Sequence, residues 1–280
     1  MSRPLVSPNI ETLKPYEPGK PIDELERELG ISGSIKLASN ENPLGPSPRA
    51  VAAMRAQLDQ VHYYPDAGAF RLRDAVARHH DVDPSQVLVG NGSNEILTLL
   101  VRTFCGPGDN AVVSQYSFIA YRLILQAAGI ATRVVETRAR FAQDLDAMAA
   151  ACDENTRILF LANPNNPTGT HSGREELAAF LRAVPEHVIV VLDEAYVEYA
   201  QSTDYASGLE LSDQRDRLVI CRTFSKIFGL AGVRVGYAVT DPELVGYVNR
   251  VREPFNVNLL AQVAAVAAIE DHEHLRRSVE

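Results

Sequence analysis

Lys226 stands between Ser225 and the run Ile227-Phe228-Gly229-Leu230-Ala231-Gly232-Val233, and Arg234 follows eight residues after the lysine. An amine among apolar neighbours loses hydration, which favours its neutral, nucleophilic form. Neutral lysine can form a Schiff base with an aldehyde. Arg234 and Ser225 are suited to holding a phosphate on the carrier of that aldehyde. The aldehyde that fits is pyridoxal phosphate, for which a lysine Schiff base is the recognised anchor. A structural lysine at a helix end has the same local pattern, so the other motifs must decide.

Asp193-Glu194-Ala195-Tyr196 follows the apolar run Val188–Leu192. A carboxylate at a strand end can hold a pyridine nitrogen protonated, so that the ring accepts electrons. Tyr196 is placed to donate to the phenolic oxygen of the ring. Alone, Asp193 reads equally well as a helix N-cap. Asn163-Pro164-Asn165-Asn166-Pro167-Thr168-Gly169 is a stiff turn that can present Asn166 to the same oxygen, or simply a turn.

Gly90-Asn91-Gly92-Ser93-Asn94-Glu95 precedes a helical pattern, and glycines at a helix N-terminus suit a phosphate. Glu95 occupies the last position of what would otherwise be G-x-G-x-x-G, and no second dinucleotide-binding unit follows. No G-K-[ST] is present, so it is no Walker loop. In Ser114–Tyr121 an aromatic face is available for stacking on a ring; Phe118 is the first choice and Tyr116 the second, with core packing as the alternative. Tyr64, in His62–Asp66, is placed to reach a phosphate, across a subunit interface if the protein is a dimer. The pairs His79-His80 and His272/His274, within Asp271-His272-Glu273-His274, read as solvated helix faces and not as metal ligands; no metal is expected.

These motifs lie just after apolar runs in a regular alternation. Helical patterns cover Arg49–Leu58, Gly68–His79, Asn94–Phe104, Ile119–Ala128, Leu145–Ala151 and Arg174–Ala183. Apolar runs cover Val87–Val89, Asn110–Ser114, Thr132–Val135, Arg157–Leu161, Val188–Leu192, Leu218–Cys221 and Val235–Val239. The alternation predicts an α/β fold with a mostly parallel seven-stranded sheet between helices, and ligands bind such sheets at the carboxyl ends of the strands. Residues 1–48 read as an N-terminal arm with one amphipathic stretch, Ile22–Leu29. Residues 49–257 form the large domain, and 258–280 begin a small C-terminal domain that the chain does not complete. A mid-helix ending is expected to leave the apolar stretch Gln262–Ile269 uncovered.

The 280 residues are 46% hydrophobic and 22% charged, an ordinary globular composition, and the net charge of −9 disfavours nucleic acid or an anionic membrane as partner. Cys105, Cys152 and Cys221 are scattered, with no C-x-x-C pair, which fits a reducing, cytoplasmic setting. Met1–Lys20 carries no apolar signal region.

Together the motifs resemble those of the fold-type I pyridoxal-phosphate enzymes, and within them the histidinol-phosphate aminotransferases. The resemblance runs through Pro15–Lys20, Leu37–Pro46, Tyr64-Pro65, Gly90–Glu95, Asn163–Gly169, Asp193–Tyr196 and Thr223–Tyr237, nearly the whole chain. It implies that Lys226 anchors the cofactor, that Asp193 pairs with the pyridine nitrogen, and that Tyr196 and Asn166 hold the ring oxygen. It assigns the phosphate to Ser225, Arg234 and the backbone around Ser93 and Asn94, with Tyr64 from the other subunit of a homodimer. Tyr16 and Asn42 would lie near the substrate. Relatives often carry an acidic residue where this chain has Asn94, which leaves only a backbone role there. The arginine that binds the substrate carboxylate falls outside these residues by that comparison.

The implied reaction is transamination between L-histidinol phosphate and 2-oxoglutarate, giving imidazole-acetol phosphate and glutamate, in histidine biosynthesis. The alternatives are an aromatic or broad-specificity amino-acid aminotransferase, a pyridoxal-phosphate-dependent decarboxylase or lyase, and a module that binds the cofactor without turnover.

Overall fold

Every predicted apolar run becomes a strand, and most of them are buried on both faces, as in a helix-covered parallel sheet. A computed structural model describes residues 4–280. The strands are β1 (Val87–Gly90), β2 (Asn110–Ser114), β3 (Ala131–Val135), β4 (Thr156–Ala162), β5 (Ile189–Asp193), β6 (Leu218–Thr223) and β7 (Gly236–Val239). Every residue of β1, β2, β5, β6 and β7 is buried, whereas β3 lies at an edge and is largely exposed. The helices are α1 (Pro8–Glu11), α2 (Ile22–Leu29), α3 (Pro48–Arg55), α4 (Phe70–His80), α5 (Ser93–Phe104) and α6 (Ile119–Ala128), followed by α7 (Leu145–Ala150), α8 (Arg174–Ala183), α9 (Pro242–Val251), α10 (Leu259–Ile269) and α11 (His272–Val279).

The sheet has seven strands in the order β1-β7-β6-β5-β4-β2-β3. Pairing is parallel from β6 through β3, and β7 runs antiparallel to both β6 and β1. This reversal matters for the site. The carboxyl ends of β4, β5 and β6 lie side by side, and antiparallel β7 begins at that same edge, with Gly236 opposite both Thr223 and Gly90. The residues that precede β7 therefore meet the residues that follow β1 and β6.

One face of the sheet packs Val191, Val219, Cys221 and Ala238 against α5, α6 and α9. On the other face, Val190, Leu192 and Ile220 pack against α7 and α8, while Val87, Val89, Tyr237 and Val239 meet α3, α4 and α10. Cutting a fully buried leucine such as Leu192 to alanine should cost about 2–5 kcal/mol.

Two expectations are corrected here. The stretch Gln262–Ile269 is not left uncovered: α10 buries Ala261, Ala264, Ala265, Ala268 and Ile269, and its small side chains let it pack closely on α3 and α4. Nor is Asp271–His274 a solvated face. Asp271 and His274 are buried; Asp271 accepts from Ser47 Oγ at 2.5 Å, and His274 Nε2 lies 3.1 Å from the Gly45 carbonyl. The pair fastens the end of the arm to α11. His80 is likewise engaged, its Nε2 2.8 Å from the hydroxyl of buried Tyr237. The arm begins on its own chain: Asn9 Nδ2 donates to the carbonyls of Gln126 and Ala127 at the end of α6. Among the described residues no helix is long and apolar enough to cross a membrane, and no group of three or more His, Cys, Asp or Glu could hold a metal ion.

Candidate active site

The carboxyl edge of the sheet encloses a cavity of about 240 Å3, lined by Ser93, Asn94, Phe118, Tyr121, Asn166, Asp193, Tyr196, Ser225, Lys226 and Arg234 among others. They arrive from five connections, after β1, β2, β4 and β5 and between β6 and β7, so the strand order assembles the set.

Lys226 leaves the loop after β6. Its Nζ donates to the Ser39 carbonyl at 2.9 Å and lies 5.5 Å from the centre of the Tyr196 ring. Burial lowers its pKa; Glu41 and Asp193 oppose that, and Arg234 adds to it. The amine is therefore partly primed towards the neutral form. Gly229, three residues on, has φ +65°, and a side chain there would lie 2.2 Å from the Gly45 carbonyl. Glycine is needed for the arm to pass over this loop.

Asp193 ends β5 and is buried. Its Oδ2 accepts from Tyr121 Oη at 2.6 Å and its Oδ1 from the Ala195 N–H at 3.1 Å. Burial raises its pKa, and these two hydrogen bonds oppose the rise without cancelling it. The Tyr196 hydroxyl accepts from Asn40 Nδ2 at 2.8 Å, and burial is the main cause of its raised pKa.

The same cavity wall carries a cup suited to an anion. α5 opens at Ser93 with Gly92 as N-cap, which offers no side-chain acceptor to the first N–H groups of the helix. Arg234 turns its guanidinium towards this end, donating to Ser225 Oγ at 3.3 Å and to the Ala231 carbonyl at 2.9 Å. A Cβ on Gly92 would stand 2.4 Å from Arg234 Nη2, and one on Gly236 would stand 2.5 Å from the Ser93 nitrogen. Both glycines let backbone and guanidinium come together. Glu95, the odd residue of the loop, accepts from the Asn91 N–H and from Asn256 Nδ2, each at 2.6 Å, and so ties the loop shut.

The pattern matches the aminotransferase class I and II family over residues 32–280. The histidinol-phosphate aminotransferase of Anaeromyxobacter sp. (strain Fw109-5) is 51% identical over 275 residues, covering 98% of this chain and 76% of that protein. The chain belongs to the class I and II aminotransferases, in the histidinol-phosphate aminotransferase family. Histidinol-phosphate aminotransferase 2 of Pseudomonas aeruginosa is 50% identical, covering 98% of this chain and 74% of that protein. Among solved structures, the histidinol-phosphate aminotransferase from Sinorhizobium meliloti in complex with pyridoxal-5'-phosphate superposes with a TM-score of 0.88 at 28% identity, covering 99% of this chain and 74% of that one.

Not every expected residue of this aminotransferase reaches the cavity. Phe118 lines it, whereas Tyr116 is 42% exposed and packs edge-on against Phe141. Asn42 turns away, its Nδ2 donating to the Ile227 carbonyl at 2.7 Å and to Ser278 Oγ at 3.0 Å; its neighbours Ser39 and Glu41 line the cavity instead. Tyr16 lines a separate groove with Leu13, Val101 and Leu123, yet lies close enough to Tyr196 to contribute to the rise in that residue's pKa. Tyr64 is 82% exposed, stacks on Phe255 at 4.6 Å and lies outside this cavity. Tyr121 is the residue that sequence reading missed. Its only signal was a second aromatic one helical turn beyond Phe118.

Proposed function

We propose that this chain catalyses transamination between L-histidinol phosphate and 2-oxoglutarate, with pyridoxal phosphate as cofactor, giving imidazole-acetol phosphate and glutamate in histidine biosynthesis. The observation that carries the reading is that one cavity gathers an amine, a buried carboxylate and an anion cup. Those three chemistries match the three ends of the cofactor: its aldehyde, its ring nitrogen and its phosphate. The names of the half-identical relatives support histidinol phosphate as the amino donor.

In this reading Lys226 holds the cofactor through Nζ. Asp193 would pair with the ring nitrogen, Asn166 and Tyr196 would hold the ring oxygen, and Phe118 would pack on the ring. Ser225, Arg234 and the N–H groups at Ser93 and Asn94 take the phosphate, where the helix N-terminus adds its own positive end. When bound, pyridoxal phosphate supplies the electron sink for charge developing at the substrate Cα. Lys226 Nζ would be the base that takes the substrate Cα proton, and its lowered pKa favours that role. The working unit we propose is a homodimer in which Tyr64, exposed and outside its own cavity, serves the neighbouring copy.

The test is glutamate formation from histidinol phosphate and 2-oxoglutarate. Lys226→Ala is expected to abolish it, and substantial remaining turnover would sink the assignment. Substituting phenylalanine for histidinol phosphate as donor separates this reading from a broad-specificity aminotransferase.

A further inference from the structure

Tyr121 is fully buried on α6, and its hydroxyl donates to Asp193 Oδ2 at 2.6 Å. The ring is fixed independently of that bond: it stacks on Phe160 at 4.9 Å and meets Phe118 edge-on at 5.7 Å. We propose that Tyr121 is the positioning residue that holds the Asp193 carboxylate in one orientation and in its charged form at the cavity wall. This rests on the reading of the cavity as the pyridoxal-phosphate site.

Asp193 needs such a partner. A buried carboxylate without donors prefers to take up a proton. A neutral Asp193 would not favour a protonated pyridine nitrogen. The groups facing Asp193 are few: Tyr121 from α6, Cys221 opposite it on β6, Lys226 from the loop after β6, and Glu194 and Tyr196 from its own connection. Glu194 disfavours the charge and Lys226 favours it. In the proposed function Nζ is engaged with the cofactor and then with substrate protons, so its help is not constant. The hydrogen bond from Tyr121 is constant, because burial and the Asp193 charge push its own pKa well above the ordinary tyrosine value. It remains a donor across the working pH range. The Ala195 N–H, the second donor, takes the other oxygen, so the two together set the plane of the carboxylate.

The experiment is a double-mutant cycle on the protein loaded with pyridoxal phosphate, using Tyr121→Phe and Asp193→Asn. Tyr121→Phe keeps the stacked ring and removes one oxygen. A hydrogen bond to a charged group is worth enough for a roughly tenfold rise in the dissociation constant of pyridoxal phosphate, followed by absorbance, and for the acid limb of kcat/KM to move up by about one pH unit. In the Asp193→Asn background the same change should cost no more than about threefold, because no charge remains to be held. Equal losses in both backgrounds, or a lower melting temperature with an unmoved acid limb, would show a purely structural role and overturn the proposal. If the unsubstituted protein binds no pyridoxal phosphate, the reading of the cavity itself falls. If it binds and Tyr121→Phe binds equally well with the same acid limb, only the Tyr121 proposal falls. A second measurement needs no Tyr121 variant: with 13C-labelled aspartate, the Asp193 carboxyl signal, assigned by its loss in Asp193→Asn, should be that of the ionised form at neutral pH. A protonated signal there overturns the proposal.

Discussion

Gly92→Ala isolates the anion cup from the rest of the site. Gly92 has φ +81° and ψ 163°, a region that is essentially restricted to glycine. Forcing alanine into it costs about 1–3 kcal/mol in backbone strain. For a chain of this size that lowers Tm by roughly 2–5 °C. The new Cβ would also stand 2.4 Å from Arg234 Nη2. An ordinary carbon-to-nitrogen contact is about 3.5 Å, so the guanidinium must retreat by about 1 Å, and the end of a long side chain does so easily. It then no longer faces the N-terminus of α5. Charge-assisted bonds are worth about 1.5–3 kcal/mol, so affinity for pyridoxal phosphate should fall at least tenfold. The control is Gly232→Ala, since a Cβ at Gly232 meets nothing within 4 Å and its φ is not positive. The assays are thermal melting without added cofactor and absorbance titration with pyridoxal phosphate. The two effects are separable, because inorganic phosphate should compete with the cofactor in the unsubstituted protein and less so in Gly92→Ala. If Gly92→Ala melts and binds like Gly232→Ala, the cup is not built as described.

The buried pair Arg222–Glu194 makes a second test. Arg222 donates to Glu194 Oε2 from Nε at 3.0 Å and from Nη2 at 2.8 Å, while the Gly208 N–H occupies Oε1. Arg222→Met alone should cost about 3–5 kcal/mol in urea unfolding by stranding a buried carboxylate, and adding Glu194→Leu should recover much of it; a double variant no more stable than the single would refute this. Two groups around Arg222 should make stability depend on pH in opposite senses. His80 has its pKa lowered to about 3 by burial, so its contribution is full above 6.5 and lost as pH falls towards 3; burial raises Glu198 to about 7, so its contribution is full below 4.5 and lost as pH rises through 7. Between pH 4.5 and 6.5 the two slopes oppose each other. Glu198→Gln should therefore make the protein lose stability on acidification through that window, and His80→Gln should make it lose stability on alkalinisation. Urea midpoints that follow the same pH trend in both variants would refute the assignment.

What local pattern decides was legible in advance. The runs Asn110–Ser114 and Arg174–Ala183 are found as strand and helix with those bounds, because each is closed by turn residues and carries one period throughout. Lys226, Asp193 and Asn166 could be picked out because each follows an apolar run that becomes a strand, and a parallel sheet brings such ends to one edge; Arg234, which precedes antiparallel β7, stood out by its spacing from Lys226. Strand order was not legible. Nothing local says that β2 pairs with β4 while β3 lies outside it, and only that order sets α6 where Tyr121 reaches Asp193. The reversal at β7 did leave a trace. No helix-length pattern joins Thr223 to Gly236, and a parallel return needs a crossover of about a dozen residues, usually helical. The burial of Asp271 and His274 left none, since their partners, Ser47 and Gly45, sit in the arm more than two hundred residues earlier.

The end of β5 shows how two adjacent carboxylates come to do unlike work. Successive residues of a strand point to opposite faces, so Asp193 and Glu194 cannot share one site although they are neighbours in sequence. Asp193 falls on the face where α6 supplies a neutral donor, the Tyr121 hydroxyl, and it opens onto the cavity. Glu194 falls on the other face, where β6 supplies a full positive charge, Arg222, and the backbone of Gly208 closes the remaining oxygen. The difference in partners suits the difference in task. A carboxylate locked to a guanidinium has little charge left to offer a ligand, whereas one held by a phenol and an amide N–H keeps most of it. Exchanging the two environments, with arginine facing Asp193 and tyrosine facing Glu194, would leave the same residues buried and remove the free negative charge from the cavity. The same alternation works on β6, where Cys221 pairs with Asp193 in register and Arg222, the next residue, crosses to Glu194. The strand period thus separates an ion pair that anchors the sheet from a carboxylate that faces the cavity, within two residues of each strand.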